Sequence, residues 1–492
     1  HVLTGGIGNA NEINNVTITG NATLAGNITT DNNDGDVSIT GTVALTQNAT
    51  IDTSAGDGDI TLGSTVDGAK TLTLSSGAGA ITVTGDIGAG TALTALTINA
   101  QDSETSSGKI TINDIGDAGA GGVGTGVTKI GNTSTTEIEF TGALYRTDTA
   151  ATYTTKSAAT DGNGNFDLTA AATFQTSADA LTFGTGTVEL ADGANLTITT
   201  AGGATTIGAI RGTSAEDVSI NVGASTLSVG AVGNAAEIGD IAYTATTVTL
   251  TGDQVTSADQ GGGSGSDTGT FAITGATVIS GDVTVDTDVT TGSGTNEDGT
   301  LSFSSTIVGA GGTDNLTITS GSGALTLTGT IGVAAPLDAL SINASGAAAL
   351  TIPQIGTGTA IGAAGTNGTV TIGNSSSTLV TLSAAGYKFG GGATTITSGS
   401  HVVTAANAKI FTDGNITIDP AAGSQLKTTG AFAITATTAD DTINIAGDIL
   451  GVDDTSNETI TLQAGASSGT SGGTITLGGD IATQVESVSL KA

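Results

Sequence analysis

The sequence predicts an all-β chain, a parallel right-handed β-helix or solenoid with an internal duplication. Three observations predict it. Leu72 to Ala100 and Leu316 to Ala344 align without a gap, with 17 of 29 positions identical at an offset of 244 residues. A repeat of that length comes before any single motif in deciding the fold. Second, the aliphatic residues Leu72, Leu74, Ile81, Val83, Leu96 and Ile98 alternate with Thr, Ser or Ala in short runs. Period two places one apolar face inward and one hydroxyl face outward. Third, Gly77, Gly79, Gly85, Gly88 and Gly90 punctuate the runs, while Asn-Gly hairpin signals such as Asn367-Gly368 are scarce. That favours stacked coils over hairpins. Coils of roughly 20–25 residues would number about 20. The alternative is a series of tandem β-sandwich domains.

Composition supports thin repetitive layers. The chain has 492 residues, 79 Gly, no Trp, Cys or Met, and 3% aromatic residues, so its core is expected to be Val, Ile, Leu and Ala rather than aromatic. Thr and Val suit pleated, half-buried positions. Formal charge is −35, from 45 acidic and 10 basic residues. Nucleic acid and anionic membranes would be repelled. No run of apolar residues is long enough for a transmembrane helix. Without cysteine there is no disulfide framework. The chain opens at His1 without a Met or a signal peptide, so it is expected to be a processed piece of a longer precursor.

Taken in order, residues 1–56 form an N-terminal β segment of short runs such as Val16-Thr-Ile18 and Val43-Ala-Leu45. Residues 57–260 hold the first repeat unit, residues 261–270 a Gly/Ser-rich joint, and residues 271–492 the second unit. Ile110-Thr-Ile112, Ile138-Glu-Phe140 and Tyr145 recur as Leu350-Thr-Ile352, Val380-Thr-Leu382 and Tyr387. The Gly-rich insertions, such as Asp117 to Gly126, read as loops.

The I/L-T-I/L-x-x-G-x-G-x-I/L-T-V/L-T-G pattern at 72–85 and 316–329 resembles the filamentous-haemagglutinin-like and autotransporter-passenger proteins of bacterial surfaces. The resemblance is one of texture over the whole chain and carries no catalytic motif. It implies a right-handed β-helix and a role as an adhesin, filament or exported fibre.

Acidic clusters are the candidate metal ligands: Asp31, Asp34 and Asp36; Asp57 and Asp59; Asp440 and Asp441; Asp453 and Asp454. Alternating carboxylates on a turn supply the hard oxygens that Ca²⁺ takes, although no calcium-binding repeat or EF-hand loop is present. Thr17-Ile-Thr19 and Thr82-Val-Thr84 read as outward faces of strands. Sequons occur at Asn15, Asn21, Asn27, Asn48, Asn132, Asn195, Asn315, Asn374, Asn415 and Asn457, and a secreted chain can be glycosylated there. Catalysis has little to draw on: His1 and His401 are the only histidines, Arg146 and Arg211 the only arginines. No enzyme is expected. The expected function is that of an extracellular structural protein, a subunit of a self-assembling filament, sheath or lattice. A cell-surface adhesin with a glycan or cell-surface ligand is the alternative, and a carbohydrate-active β-helix enzyme ranks third. Neither terminus reads as a capping repeat, so a homopolymer joined through residues near both ends is expected.

Overall fold

Alternation of inward aliphatic and outward Thr or Ser produces strands of two to six residues along most of the chain, and no helix among the described residues. The computed structural model describes residues 1–8, 13–31, 33–99, 107–157, 164–184, 186–213, 216–233, 238–256, 269–288, 299–321, 323–344, 349–358, 364–452, 458–465, 472–481 and 485–492. The expected joint at 261–270 falls almost wholly outside them. Two compact units emerge: His1–Ile238 with Tyr243–Thr246, and Gly239–Ala242 with Thr247–Ala492.

The first unit is a parallel β-solenoid. One face is a nine-stranded sheet running through Val16–Ile18, Val37–Ile39, Ile60–Leu62, Ile81–Val83, Ser107–Ile112, Thr135–Phe140, Asn165–Leu168, Thr187–Leu190 and Ile210–Arg211. Each strand pairs in parallel with the equivalent strand of the next coil, as Val37, Ser38 and Ile39 do with Ile60, Thr61 and Leu62. Two further ladders complete each coil. One includes Ala22–Leu24 on Val43–Leu45; the other includes Ala49–Asp52 on Thr71–Ser75. The second unit is built the same way, with a nine-stranded sheet from Gln254–Val255 to Thr474–Leu477 and two five-stranded sheets. Parallel pairing across coils excludes the tandem sandwiches, whose strands pair antiparallel.

The inward positions carry the core. Leu74, Ile81, Val83, Ile98, Ile318, Leu325, Leu327 and Ile342 are all buried, as period two requires. Coil length varies more than the sequence suggests. Successive coils are linked across 21 residues at Asn15–Asp36, 28 at Thr111–Glu139 and 33 at Gly281–Asp314. Between Thr111 and Glu139 the extra residues form a corner loop at 116–127, so the coils are fewer than a uniform short repeat would give.

The duplicated stretches fold alike. Ile110, Thr111 and Ile112 stack on Ile138, Glu139 and Phe140, as Leu350, Thr351 and Ile352 stack on Val380, Thr381 and Leu382. The Tyr145 hydroxyl donates to Ile112 O at 3.2 Å and accepts from Gly142 N at 2.8 Å. That of Tyr387 donates to Ile352 O at 2.9 Å and accepts from Ala384 N at 2.9 Å. Each tyrosine thus closes the corner before its strand. Asn132 and Asn374 recur too, giving their side-chain N–H to Asn99 O and Ala344 O at 2.7 and 3.1 Å.

A matched glycine pair shows what the corners demand. Gly88 has φ +72° and a Cβ there would lie 2.1 Å from Gly122 O; at Gly332, with φ +70°, it would lie 2.0 Å from Gly365 O. Both conditions exclude a side chain. Gly88→Ala and Gly332→Ala should each lose roughly 1–2 kcal/mol from the left-handed backbone alone, and more from the clash. Chemical denaturation checks this, and an unchanged midpoint would contradict the close packing of coils at this corner.

Candidate functional site

Most of the acidic turn residues serve the backbone. Asp36 Oδ1 accepts the N–H of Asp59 at 2.9 Å, and Asp59 Oδ1 accepts that of Ala80 at 2.7 Å. One coil below, Asn15 Oδ1 accepts from Asp36 N at 2.8 Å. The same corner is thus bridged coil after coil by a short Asx side chain. Asp57 Oδ1 accepts from Ala78 N at 2.8 Å. Asp34, Asp57 and Asp440 have φ of 57°, 61° and 67°, left-handed conformations that Asp and Asn tolerate better than most residues. Asp31 closes a local turn on Asn33, through its N–H at 3.1 Å and its side chain at 3.2 Å. Asp441 Oδ2 accepts from Thr438 N at 3.0 Å. Asp453 and Asp454 lie outside the described residues. Among the described residues, no group of three His, Asp or Glu side chains is arranged to hold a metal ion.

The same corner logic accounts for many sequons. Asn15, Asn21, Asn27, Asn48 and Asn415 each use Oδ1 to accept an N–H from the next coil. The following residue, Val16, Ala22, Ile28, Ala49 or Ile416, is buried, and the Thr after it faces outward. Asn-x-Thr is therefore what a corner followed by a strand looks like in this fold. Asn457 lies outside the described residues.

Charge concentrates instead on one outer face of the first unit. On the nine-stranded sheet, Thr111, Glu139, Asp167, Glu189 and Arg211 occupy one register position in five successive strands. Lys109 and Glu137 flank them, paired in register. Neighbouring strands are about 4.8 Å apart, so the side chains must interact. Lys109 Nζ lies 2.6 Å from Glu137 Oε1 and 3.3 Å from Glu139 Oε2. Thr111 Oγ1 donates to Glu139 Oε2 at 2.9 Å, and Arg211 Nη1 is 3.6 Å from Glu189 Oε1.

Four carboxylates to two cations leave the middle of this ladder short of positive charge. Burial, then the charge and hydrogen bond of Glu137, then the charge of Glu189, push the Asp167 carboxyl up to about 7, against Lys109. Burial also raises Glu189, with Arg211 opposing. Burial opposes the charge on Lys109, but Glu137 and Glu139 outweigh it and raise its pKa. Asp167 therefore keeps its proton to a higher pH than an ordinary Asp does.

Beneath this face lies the largest aromatic cluster among the described residues, a correction to the expected core of Val, Ile, Leu and Ala alone: the few Phe and Tyr are gathered inside adjacent coils. Phe140, Tyr145, Tyr153, Phe166, Phe174 and Phe183 are fully buried. Phe174 stacks on Tyr145 at 4.8 Å and meets Phe140, Tyr153 and Phe183 edge-on at 5.1, 5.6 and 5.0 Å.

The second unit shows that the fold does not require the charged ladder. Its equivalent column is Thr351, Thr381, Val403, Lys427 and, one strand on, Leu450. Ala349 and Leu379 replace Lys109 and Glu137. His401 sits on that face, its Nδ1 accepting from Gln425 N at 3.1 Å. Burial and the Lys427 charge hold its pKa below the usual value. Sequence reading missed the ladder, although Glu137, Glu139, Asp167 and Glu189 do occupy outward positions of consecutive strands.

Compared with known proteins, the chain matches no family model, no curated protein and no solved structure.

Proposed function

We propose that this chain is a structural protein of the cell exterior, a subunit of a self-assembling filament, sheath or lattice rather than an enzyme. The observation that supports it is the coil itself. Strand after strand puts aliphatics inward and Thr, Ser or Asn outward, and each coil is hydrogen-bonded to the next at its strands and corners. Such stacking builds length from a nearest-neighbour rule. The resemblance to filamentous-haemagglutinin-like and autotransporter-passenger proteins fits the same reading. Self-association is part of the proposal, with divalent cations such as Ca²⁺ acting as counter-ions to the net charge of −35. Negative-stain imaging of the native material should show filaments or sheets that chelator disperses. A stable monomer by sedimentation at high concentration, with Ca²⁺ present, would rule it out.

The charged ladder supports a second reading, an adhesin that uses one face of the first unit. Lys109, Glu137, Glu139, Asp167, Glu189 and Arg211 form a patterned surface that the second unit lacks. An isolated first unit that binds a cell-surface glycan or protein, and loses binding on substitution of Glu139 and Glu189, would favour that reading.

A further inference from the structure

A lysine and an aspartate of the second unit are placed for a covalent reaction. Lys388 lies in the strand Gly386–Phe389, which pairs in parallel with Lys409–Thr412 of the next coil. Asp413 follows that second strand. The Lys388 side chain is 4% exposed, and its Nζ lies 2.5 Å from Asp413 Oδ1. The same oxygen accepts a hydrogen bond from Thr437 Oγ1 of the following coil. Asp413 is 43% exposed on the solvent side. Asp441, whose charge environment includes Asp413, is 8% exposed.

We propose that Lys388 and Asp413 condense to an intramolecular isopeptide bond, a cross-link between two successive coils. Nζ bonds to Cγ of Asp413, and the bond from Cγ to Oδ2 breaks. The ammonium begins with three protons and the amide keeps one. The other two leave with Oδ2 as water, so the ion pair supplies every atom and no oxidant or cofactor is needed. Oδ1 becomes the amide oxygen, and Thr437 donates to it as negative charge develops there. Fixing amine and carboxyl in contact confers effective molarities on the order of 10⁵–10⁸ M, which replaces chemical activation. The exposed side of Asp413 gives the water an exit.

One proton must first pass from Nζ to the carboxylate. Burial opposes the charge of Asp413, but Lys388 and Thr437 hold its pKa below the usual carboxylate range, so this transfer is an unfavourable pre-equilibrium that precedes attack on Cγ.

The first unit supplies the control. Tyr145 matches Tyr387, so Arg146 stands where Lys388 does, and register places Ser177 where Asp413 is. Arg146 instead donates to Ala118 O at 2.9 Å. The fold therefore accepts Arg and Ser at these positions, and neither can form the amide.

Intact-mass spectrometry of the full chain, held folded at neutral pH and then denatured, tests the bond. The expected mass is one water below that of the sequence. Trypsin should fail to cut after Lys388, and a branched peptide should join the segments around 388 and 413. Lys388→Arg and Asp413→Ser should each restore the full mass with an unchanged circular dichroism spectrum. The full sequence mass with normal cleavage at Lys388 overturns the proposal. So does a lost water that maps to an Asp-Gly pair while Lys388 stays cleavable.

Discussion

Phe174→Ala should be the most damaging single substitution in the first unit, costing about 3–5 kcal/mol. Phe174 is fully buried and touches four other rings. Removing it loses the transfer free energy of the ring, opens a cavity and breaks aromatic pairs worth roughly 0.5–1.5 kcal/mol each. The stacked coils cannot close the void, because strand pairing fixes their separation. The second unit puts Ile410 at the equivalent place, against Tyr387, so Phe174→Ile should cost less than Ala. The chain has no Trp, and two of its four tyrosines, Tyr145 and Tyr153, lie in the cluster. Tyrosine fluorescence during urea unfolding therefore reports on it. A loss below about 1 kcal/mol for Phe174→Ala would show that the cluster is loosely packed.

Asp167→Asn should stabilise the first unit at pH 8 and have little effect at pH 4. The folded carboxyl is raised to about 7, whereas an unfolded Asp titrates near its ordinary value of about 3.9. Between those values the unfolded chain has released the proton and the folded chain holds it. Stability therefore falls as pH rises through that window, and the full penalty persists above it. Asp167 is half-buried, so solvent screening reduces the effect to the order of 1 kcal/mol. The comparison with wild type isolates this site from other carboxylates, such as Asp314, whose hydrogen bonds from Gly281, Gly311 and Gly312 overcome burial to hold it below the usual range. Equal stabilisation at both pH values would refute the raised pKa of Asp167.

The fold was legible because period two survives every change of coil. Leu74, Ile81, Val83 and Ile98 face inward as their spacing requires, and the duplication at 72–100 and 316–344 marks stretches that pair alike. Coil length was not legible, since corner loops change it without changing the alternation. The charged ladder was hidden for the same reason. Glu139 and Asp167 become neighbours only once strands 28 residues apart are stacked in register. Lys388 and Asp413, 25 residues apart, meet by the same stacking. The acidic turns were conspicuous in the sequence, yet their spacing does not distinguish a cation ligand from a residue that accepts an N–H or adopts positive φ. Asp36, Asp57 and Asp59 do the latter jobs here.

Coils linked across 20 residues at Gly20–Thr40 and across 33 at Gly281–Asp314 keep the same parallel pairing. Contour length and register are thus uncoupled, which is unusual for a β architecture, where one inserted residue commonly flips every later side chain. Insertions and deletions at a corner leave the next coil in frame. Lineages carrying this fold can therefore gain loops by small indels without refolding the remainder, and an engineer can graft a foreign peptide at an exposed corner tip such as 117–120, leaving Gly116 and Gly122 bonded to the neighbouring coils. The Asx bridges at other corners mark where grafting would instead unclip one coil from the next.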